Sequence, residues 1–281
     1  MTITAALPFS EKVATASQSR DSLLCVGLDP TVERMPSSVT RGRSNRDAII
    51  EFNKSIIEST VEFATAFKPQ LAMYMQYGPE GYEALLETRA LIPDDTPCIL
   101  DCKIGDISTT MEPYARAYLD SANFDAITVN PYMGSECLQP VFDRPGKGIF
   151  LLCKTSNPGS GEIQNLELAT GQPLFAEIAS KVVEWNTSSA ASLGLVVGAT
   201  YPAELIEVRS VAPNLLILVP GIGSQAGDLA AAVDAGLDDR GGGLLINSAR
   251  SITYASSGDD FAQAAARAAR TLRDQINAIR G

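Results

Sequence analysis

"PCILDCKIGDISTT", residues 97–110, passes from a short apolar run into a cluster of charge. Pro97 to Leu100 reads as the start of a buried strand. Asp101, Lys103 and Asp106 crowd its C-terminal end, followed by Ser108, Thr109 and Thr110. Charges in such a place are costly unless each is paired. A strand that delivers ionisable side chains at its carboxyl end is the unit from which parallel α/β enzymes are built, because their sites open at that end. If the rest of the chain repeats the unit, the fold is decided.

The unit is repeated. Seven more runs have the same character: 22–28 (SLLCVGL), 64–72 (ATAFKPQLA), 126–130 (AITVN), 148–154 (GIFLLCK), 194–200 (GLVVGAT), 215–220 (LLILVP) and 243–249 (GLLINSA). Helix-like segments separate them, such as RDAIIEFNKSIIESTVEFA and EPYARAYLDSA. After the last run, Phe261, Ala264, Ala265, Ala268, Leu272 and Ile276 follow helical spacing, with arginines on the expected solvated face. Eight strand–helix repeats point to an α/β class (β/α)8 barrel, a TIM barrel. An open doubly wound sheet is the alternative, but no G-x-G-x-x-G follows the first run. Such barrels commonly occupy roughly 200–250 residues as one domain. The 281 residues contain no clear linker, so residues 1–281 are expected to form a single catalytic domain. Two long connections, 29–45 and 155–173, are expected to be functional loops.

Composition narrows the chemistry. The chain has no histidine, which excludes Ser-His-Asp triads, Cys-His pairs and histidine-based zinc sites. Acid–base work must fall to Lys, Asp, Glu, Cys or Tyr. A net charge of −11 without a basic run argues against nucleic-acid binding. No apolar run reaches the roughly 20 residues that span a bilayer, and the N-terminal stretch lacks the pattern of a signal peptide. The five cysteines form no C-x-x-C pair, which suits reduced thiols in a cytoplasmic protein.

The strand ends then supply the candidates. Run one ends at Asp29, run two carries Lys68, run three delivers Asp101, Lys103 and Asp106, and run five leads to Ser156. Each has a plain structural alternative. Asp29 could start a turn, Thr109 and Glu112 form a capping-box pattern, and Arg250 could sit on a solvated helix face. Together they recur at the same end of successive strands, which turn residues have no reason to do. The loops after the last two strands of a barrel often hold phosphate. Here they offer Pro220 and Gly223 of PGIG, Gln225 in the Gly-flanked GSQAG, and Arg250 with its fork of donors.

This set of motifs resembles the orotidine 5′-phosphate decarboxylase family, in its longer bacterial branch. The D-x-K-x-x-D of Asp101, Lys103 and Asp106 matches its signature, joined by CVGLDP, FKPQLAMY, ITVNPYMG, KTSNP, VPGIG and NSARSI in the expected order. One departure is Ile104, where that branch often carries Arg. The resemblance implies decarboxylation of orotidine 5′-monophosphate (OMP) to UMP with no cofactor and no metal. It implies a catalytic chain of Lys68, Asp101, Lys103 and Asp106, in which Lys103, kept charged despite burial, is the proton donor to C6. It implies substrate contacts from Asp29, Thr110, Ser156, Pro220, Gly223, Gln225 and Arg250. It also implies a homodimer in which Asp106 and Thr110 act in the partner subunit's site. Two alternatives remain at this point: a sugar-phosphate barrel using Lys103 in aldolase or metal-assisted chemistry, and an inactive nucleotide-binding relative.

Overall fold

The computed structural model describes residues 7–222 and 228–281. Eight parallel strands alternate with helices: β1 Leu24–Leu28, β2 Ala66–Pro69, β3 Ile99–Ile104, β4 Ala126–Val129, β5 Gly148–Lys154, β6 Ser192–Val197, β7 Leu216–Val219 and β8 Leu244–Ser248. They are hydrogen-bonded in the order β2-β1-β8-β7-β6-β5-β4-β3. The two ends of that list meet through single bridges, Phe67 to Cys98 and Gln70 to Asp101, which close the ring as the predicted (β/α)8 barrel. Both faces of each strand are covered, which is why the runs read as continuously apolar.

One residue from each strand builds the lower interior: Cys25, Ala66, Ile99, Ala126, Phe150, Val196, Leu218 and Leu245. Phe9 and Val13 join them from the helix Phe9–Arg20. That helix, in the N-terminal stretch for which no element is read from the sequence, plugs the barrel floor. The Phe9 ring meets Phe150 edge-on at 5.9 Å. Gly148 makes room for it, since a Cβ there would come within 2.3 Å of the ring. Burying Phe9 contributes about 2–3 kcal/mol by the usual area relation.

The outer shell packs helices against the strands. The C-terminal helix Phe261–Arg280 stacks Phe261 on Phe52 of the helix Asn45–Thr60, with ring centroids 5.2 Å apart. Arg267 and Arg270 are exposed, as the expected solvated face requires, while Arg273 and Arg280 are half-buried. Arg270 and Arg273 lie over the Phe63 ring, at 5.1 and 5.5 Å, because a guanidinium stacks on an aromatic face. In the same helix Ala269 is buried, while Ala268 and Leu272 are half-buried at the edge of the apolar stripe. Among the described residues, no helix is long and apolar enough to cross a membrane.

Candidate active site

Side chains alternate along a strand, so the residue two beyond each interior position points the same way, one layer higher. Ala66 is followed by Lys68, Ile99 by Asp101, Ala126 by Thr128 and Leu245 by Asn247. The apolar stack thus gives way to a polar layer at the carboxyl ends of the strands. Above it opens a cavity of about 390 Å³.

Asp101 is the centre of this layer. Its Oδ2 accepts a hydrogen bond from Lys68 Nζ at 3.0 Å, and its Oδ1 accepts from Lys103 Nζ at 2.6 Å and from Thr128 Oγ1 at 2.9 Å. The Lys68–Asp101 pair crosses the seam between β2 and β3, where the ladder is reduced to the two single bridges. β3 runs on to Ile104, three residues past the predicted end at Asp101, and it does so through a bulge between Leu100 and Ile104. The Thr128 hydroxyl makes this bulge feasible. It accepts from Cys102 N–H at 3.0 Å and Lys103 N–H at 2.8 Å while donating to Asp101, which uses its full capacity. Lys103 takes a left-handed backbone, φ 46°, which costs a residue with a Cβ roughly 1–2 kcal/mol. Asp101 and Lys103, two residues apart, both reach the cavity, so the side-chain alternation of a strand persists through the bulge. Ile104, the departure from the branch pattern, packs into the main apolar core.

The charges set each other's protonation. Burial alone would raise the Asp101 carboxyl, but Lys68 and then Lys103 outweigh it and hold it well below the usual carboxylate range. Burial would lower Lys68, but Asp101 and then Asp29 keep it charged far above neutrality. Lys68 is 3% exposed and Asp101 8%, so this ion pair is buried. Lys103 is not: its side chain is 43% exposed in the single chain, contrary to the burial expected of it. Burial pushes the Cys25 and Cys102 thiols up to about 12, so neither is a thiolate nucleophile at neutral pH.

Around this centre the cavity wall includes Asp29, Ser156, Pro220 and Arg250 from the predicted set. Burial raises the Asp29 carboxyl, with Lys68 opposing the rise. Asp29 Oδ1 and Asn247 Oδ1 are buried with no hydrogen-bond partner among the described residues, an arrangement that favours a ligand carrying donors. Arg250 opens a four-residue helix directly after Ala249. Ala249 reaches its place because Gly27 has no side chain; a Cβ on Gly27 would lie 2.4 Å from that of Ala249. Gly221, also on the wall, has φ 104°, which a residue with a side chain rarely adopts. Gly223 and Gln225 lie outside the described residues.

Asp106 and Thr110 do not line this cavity. Asp106 Oδ1 accepts from Ile107 N–H at 2.7 Å, and Thr110 sits in the first turn of the helix Ser108–Ala115. The expected Thr109–Glu112 capping box does not form. The helix starts at Ser108, so Thr109 is already inside it, and Glu112 turns to Arg116 at 2.7 Å and Arg144 at 2.9 Å. Thr128 and Asn247 are the site residues that sequence reasoning missed. The available signal was a polar residue inside an otherwise apolar strand run.

Comparison with known proteins shows the family and the fold. The family described as "Orotidine 5'-phosphate decarboxylase / HUMPS family" matches residues 22–268. A protein of Thermomicrobium roseum named orotidine 5'-phosphate decarboxylase is 47% identical over 275 residues, covering 98% of this chain and 96% of the relative. The solved OMP decarboxylase of Leishmania donovani superposes with a TM-score of 0.85 at 39% identity, covering 98% of this chain and 99% of that one. The solved UMP synthase of the same organism gives a TM-score of 0.87 at 40% identity; 98% of this chain is covered but only 57% of the longer one.

Proposed function

The chain belongs to the orotidine 5′-phosphate decarboxylase family, and from that premise we propose how its residues divide the work. The protein decarboxylates OMP to UMP in pyrimidine biosynthesis. The observation that carries the division of labour is the single carboxylate of Asp101 holding two lysines at the floor of the cavity.

In the reaction the C6–carboxylate bond breaks, CO2 leaves, and the electron pair remains at C6. Lys103 stabilises that developing charge and delivers its proton to C6. Asp101 is too strongly held as a carboxylate to be the acid at neutral pH. Its role is to hold and aim the Lys103 amine. Lys68 neutralises Asp101 from below and reaches the ribose. Asp29 and Asn247 accept from ribose hydroxyls, which supplies their missing donors. Ser156 meets the pyrimidine edge. Arg250 and Pro220, both on the wall, hold the phosphate together with Gly223 and Gln225, which lie outside the described residues. No step calls for a metal or a cofactor.

The active unit is a homodimer of single-domain barrels, residues 1–281, in which the partner subunit's Asp106 completes the charge chain beside Lys103 and the partner subunit's Thr110 meets the ribose. Three apolar side chains near the same loops support a protein-covered face: Ile107 is 51% exposed, Met133 44% and Tyr132 88%. Burial by the partner would also cover the half-exposed Lys103. The cytoplasm is the expected compartment, since the five cysteines are all unpaired.

An aldolase-type Schiff base is not favoured. It needs a free nucleophilic amine, and the Lys103 amine is engaged with the Asp101 carboxylate at 2.6 Å. Incubating purified protein with OMP and following loss of the orotate absorbance tests the assignment. Turnover should be insensitive to EDTA; a folded, dimeric protein that leaves OMP unchanged would refute it.

Arg250→Ala should act mainly on affinity. Losing a charge-assisted phosphate contact costs about 1.5–3 kcal/mol, or roughly 10–100-fold in KM, with a smaller change in kcat. Steady-state kinetics on OMP would read this directly, and unchanged kinetics would place the phosphate elsewhere.

A further inference from the structure

Lys154, the last residue of β5, is wholly buried and takes no part in the chemistry above. No carboxylate among the described residues pairs with it, which is an expensive way to enclose a cation. Its partners are neutral. Nζ donates to Ser160 Oγ at 3.0 Å and Asn165 Oδ1 at 2.9 Å, and lies 4.3 Å from the centre of the Tyr201 ring.

Two of these partners belong to the long connection 155–173, whose first three residues line the cavity, and the third follows β6. The same contacts spread through the loop. Ser160 Oγ donates to the Tyr201 hydroxyl at 3.3 Å, and that hydroxyl donates to Asn157 O at 3.2 Å. Thr200 Oγ1 donates to Ser156 O at 3.3 Å. Gln164 clasps Thr155, accepting from its N–H at 2.9 Å and donating to its hydroxyl at 2.8 Å. Ser156 itself rests on Gly198; a Cβ there would lie 2.7 Å from Ser156 Cα. The loop therefore turns back around one buried amine, with Ser156 pinned at its start.

We propose that Lys154 is a positioning residue for OMP decarboxylation: it gathers Ser160, Asn165 and Tyr201 about itself and so fixes the loop that presents Ser156 to the pyrimidine. This rests on the assignment of Ser156 to the base. A lysine kept for stability alone would behave otherwise. Enclosing an unpaired amine costs solvation free energy that an apolar chain of similar length would not, so stability alone is a poor account of Lys154 and its gain lies in placement.

The test is Lys154→Met, read by melting temperature, OMP kinetics and competitive inhibition by ribose 5-phosphate. We expect an unchanged or raised melting temperature, a loss of about 100-fold in kcat/KM for OMP, and unchanged inhibition by ribose 5-phosphate, which lacks the base. Adding Lys154→Met to Ser156→Ala should cost little beyond Ser156→Ala alone. Asn165→Ala, at an exposed position, should give a smaller loss of the same kind, and it carries the test if Lys154→Met does not fold. Wild-type kinetics for Lys154→Met beside an impaired Ser156→Ala would overturn the role of Lys154 alone. Additive losses, or a parallel loss of ribose 5-phosphate inhibition, would do the same. Wild-type kinetics for Ser156→Ala would overturn the base contact as well.

Discussion

Lys103→Ala is expected to lower kcat for OMP by at least about 10⁴-fold while UMP continues to bind. Two contributions vanish together. A positioned proton donor is worth about 10²–10⁴, and a preorganised charge at the developing carbanion about 10²–10³. The described residues offer no histidine to take over, and the thiols of Cys25 and Cys102 are pushed up to about 12 by burial. The barrel should stay folded, since Asp101 keeps Lys68 and Thr128 as partners and the truncated side chain is half in solvent. Single-turnover kinetics with calorimetric UMP binding would separate chemistry from affinity. Turnover within tenfold of wild type would remove Lys103 as the acid.

Asp101→Asn is expected to damage both stability and turnover. Lys68 is nearly inaccessible, and its only ion pair among the described residues is with Asp101. Removing one member of a buried pair costs about 3–5 kcal/mol because the other charge is left uncompensated. The loss falls at the β2–β3 seam, which has two isolated bridges in place of a ladder. It also frees Lys103 from its 2.6 Å anchor, so activity should fall with stability. The pH dependence has a definite sign. The Asp101 carboxyl is depressed in the folded state, so its contribution is present above the unfolded value of about 3.9 and is lost as acid titrates the folded group. Lys68 is raised, so its contribution is present below about 10.4 and is lost only in stronger alkali. Denaturant unfolding should therefore show a constant gap between wild type and variant from about pH 4 to pH 10, narrowing on further acidification. A gap absent at pH 7 would mean that the pair does not hold the seam.

The barrel was legible because the strands are largely apolar on both faces: each of the eight runs overlaps a strand, and that of β5 coincides with residues 148–154, while β3 and β6 extend beyond theirs. Strand ends were less legible where side chains replace the ladder. β3 outlasts its apolar run because the Thr128 hydroxyl, 25 residues from Lys103, takes two of its backbone N–H groups. No local pattern announces such a contact. The helix that plugs the floor was missed for a related reason: only Phe9, Val13 and Ala16 of it are buried, too sparse a stripe to stand out. Lys154 is the last residue of an apolar run in the sequence, and only the folded loop shows it enclosed. The ionisable candidates fared differently. Asp29, Lys68, Asp101, Lys103 and Arg250 converge because β-strand geometry brings every carboxyl end to one mouth. Asp106 and Thr110 do not line that mouth.

The central claim is that the stretch Asp101 to Thr110 serves two active sites, Asp101 and Lys103 in its own subunit and Asp106 in its partner's. Mixing the Lys103→Ala and Asp106→Ala proteins, each inactive alone, after subunit exchange tests it most directly. A hybrid dimer would hold one intact site, so random pairing should restore about a quarter of wild-type OMP turnover. If Lys103 and Asp106 act within one subunit, every site in the mixture is broken and no activity would return.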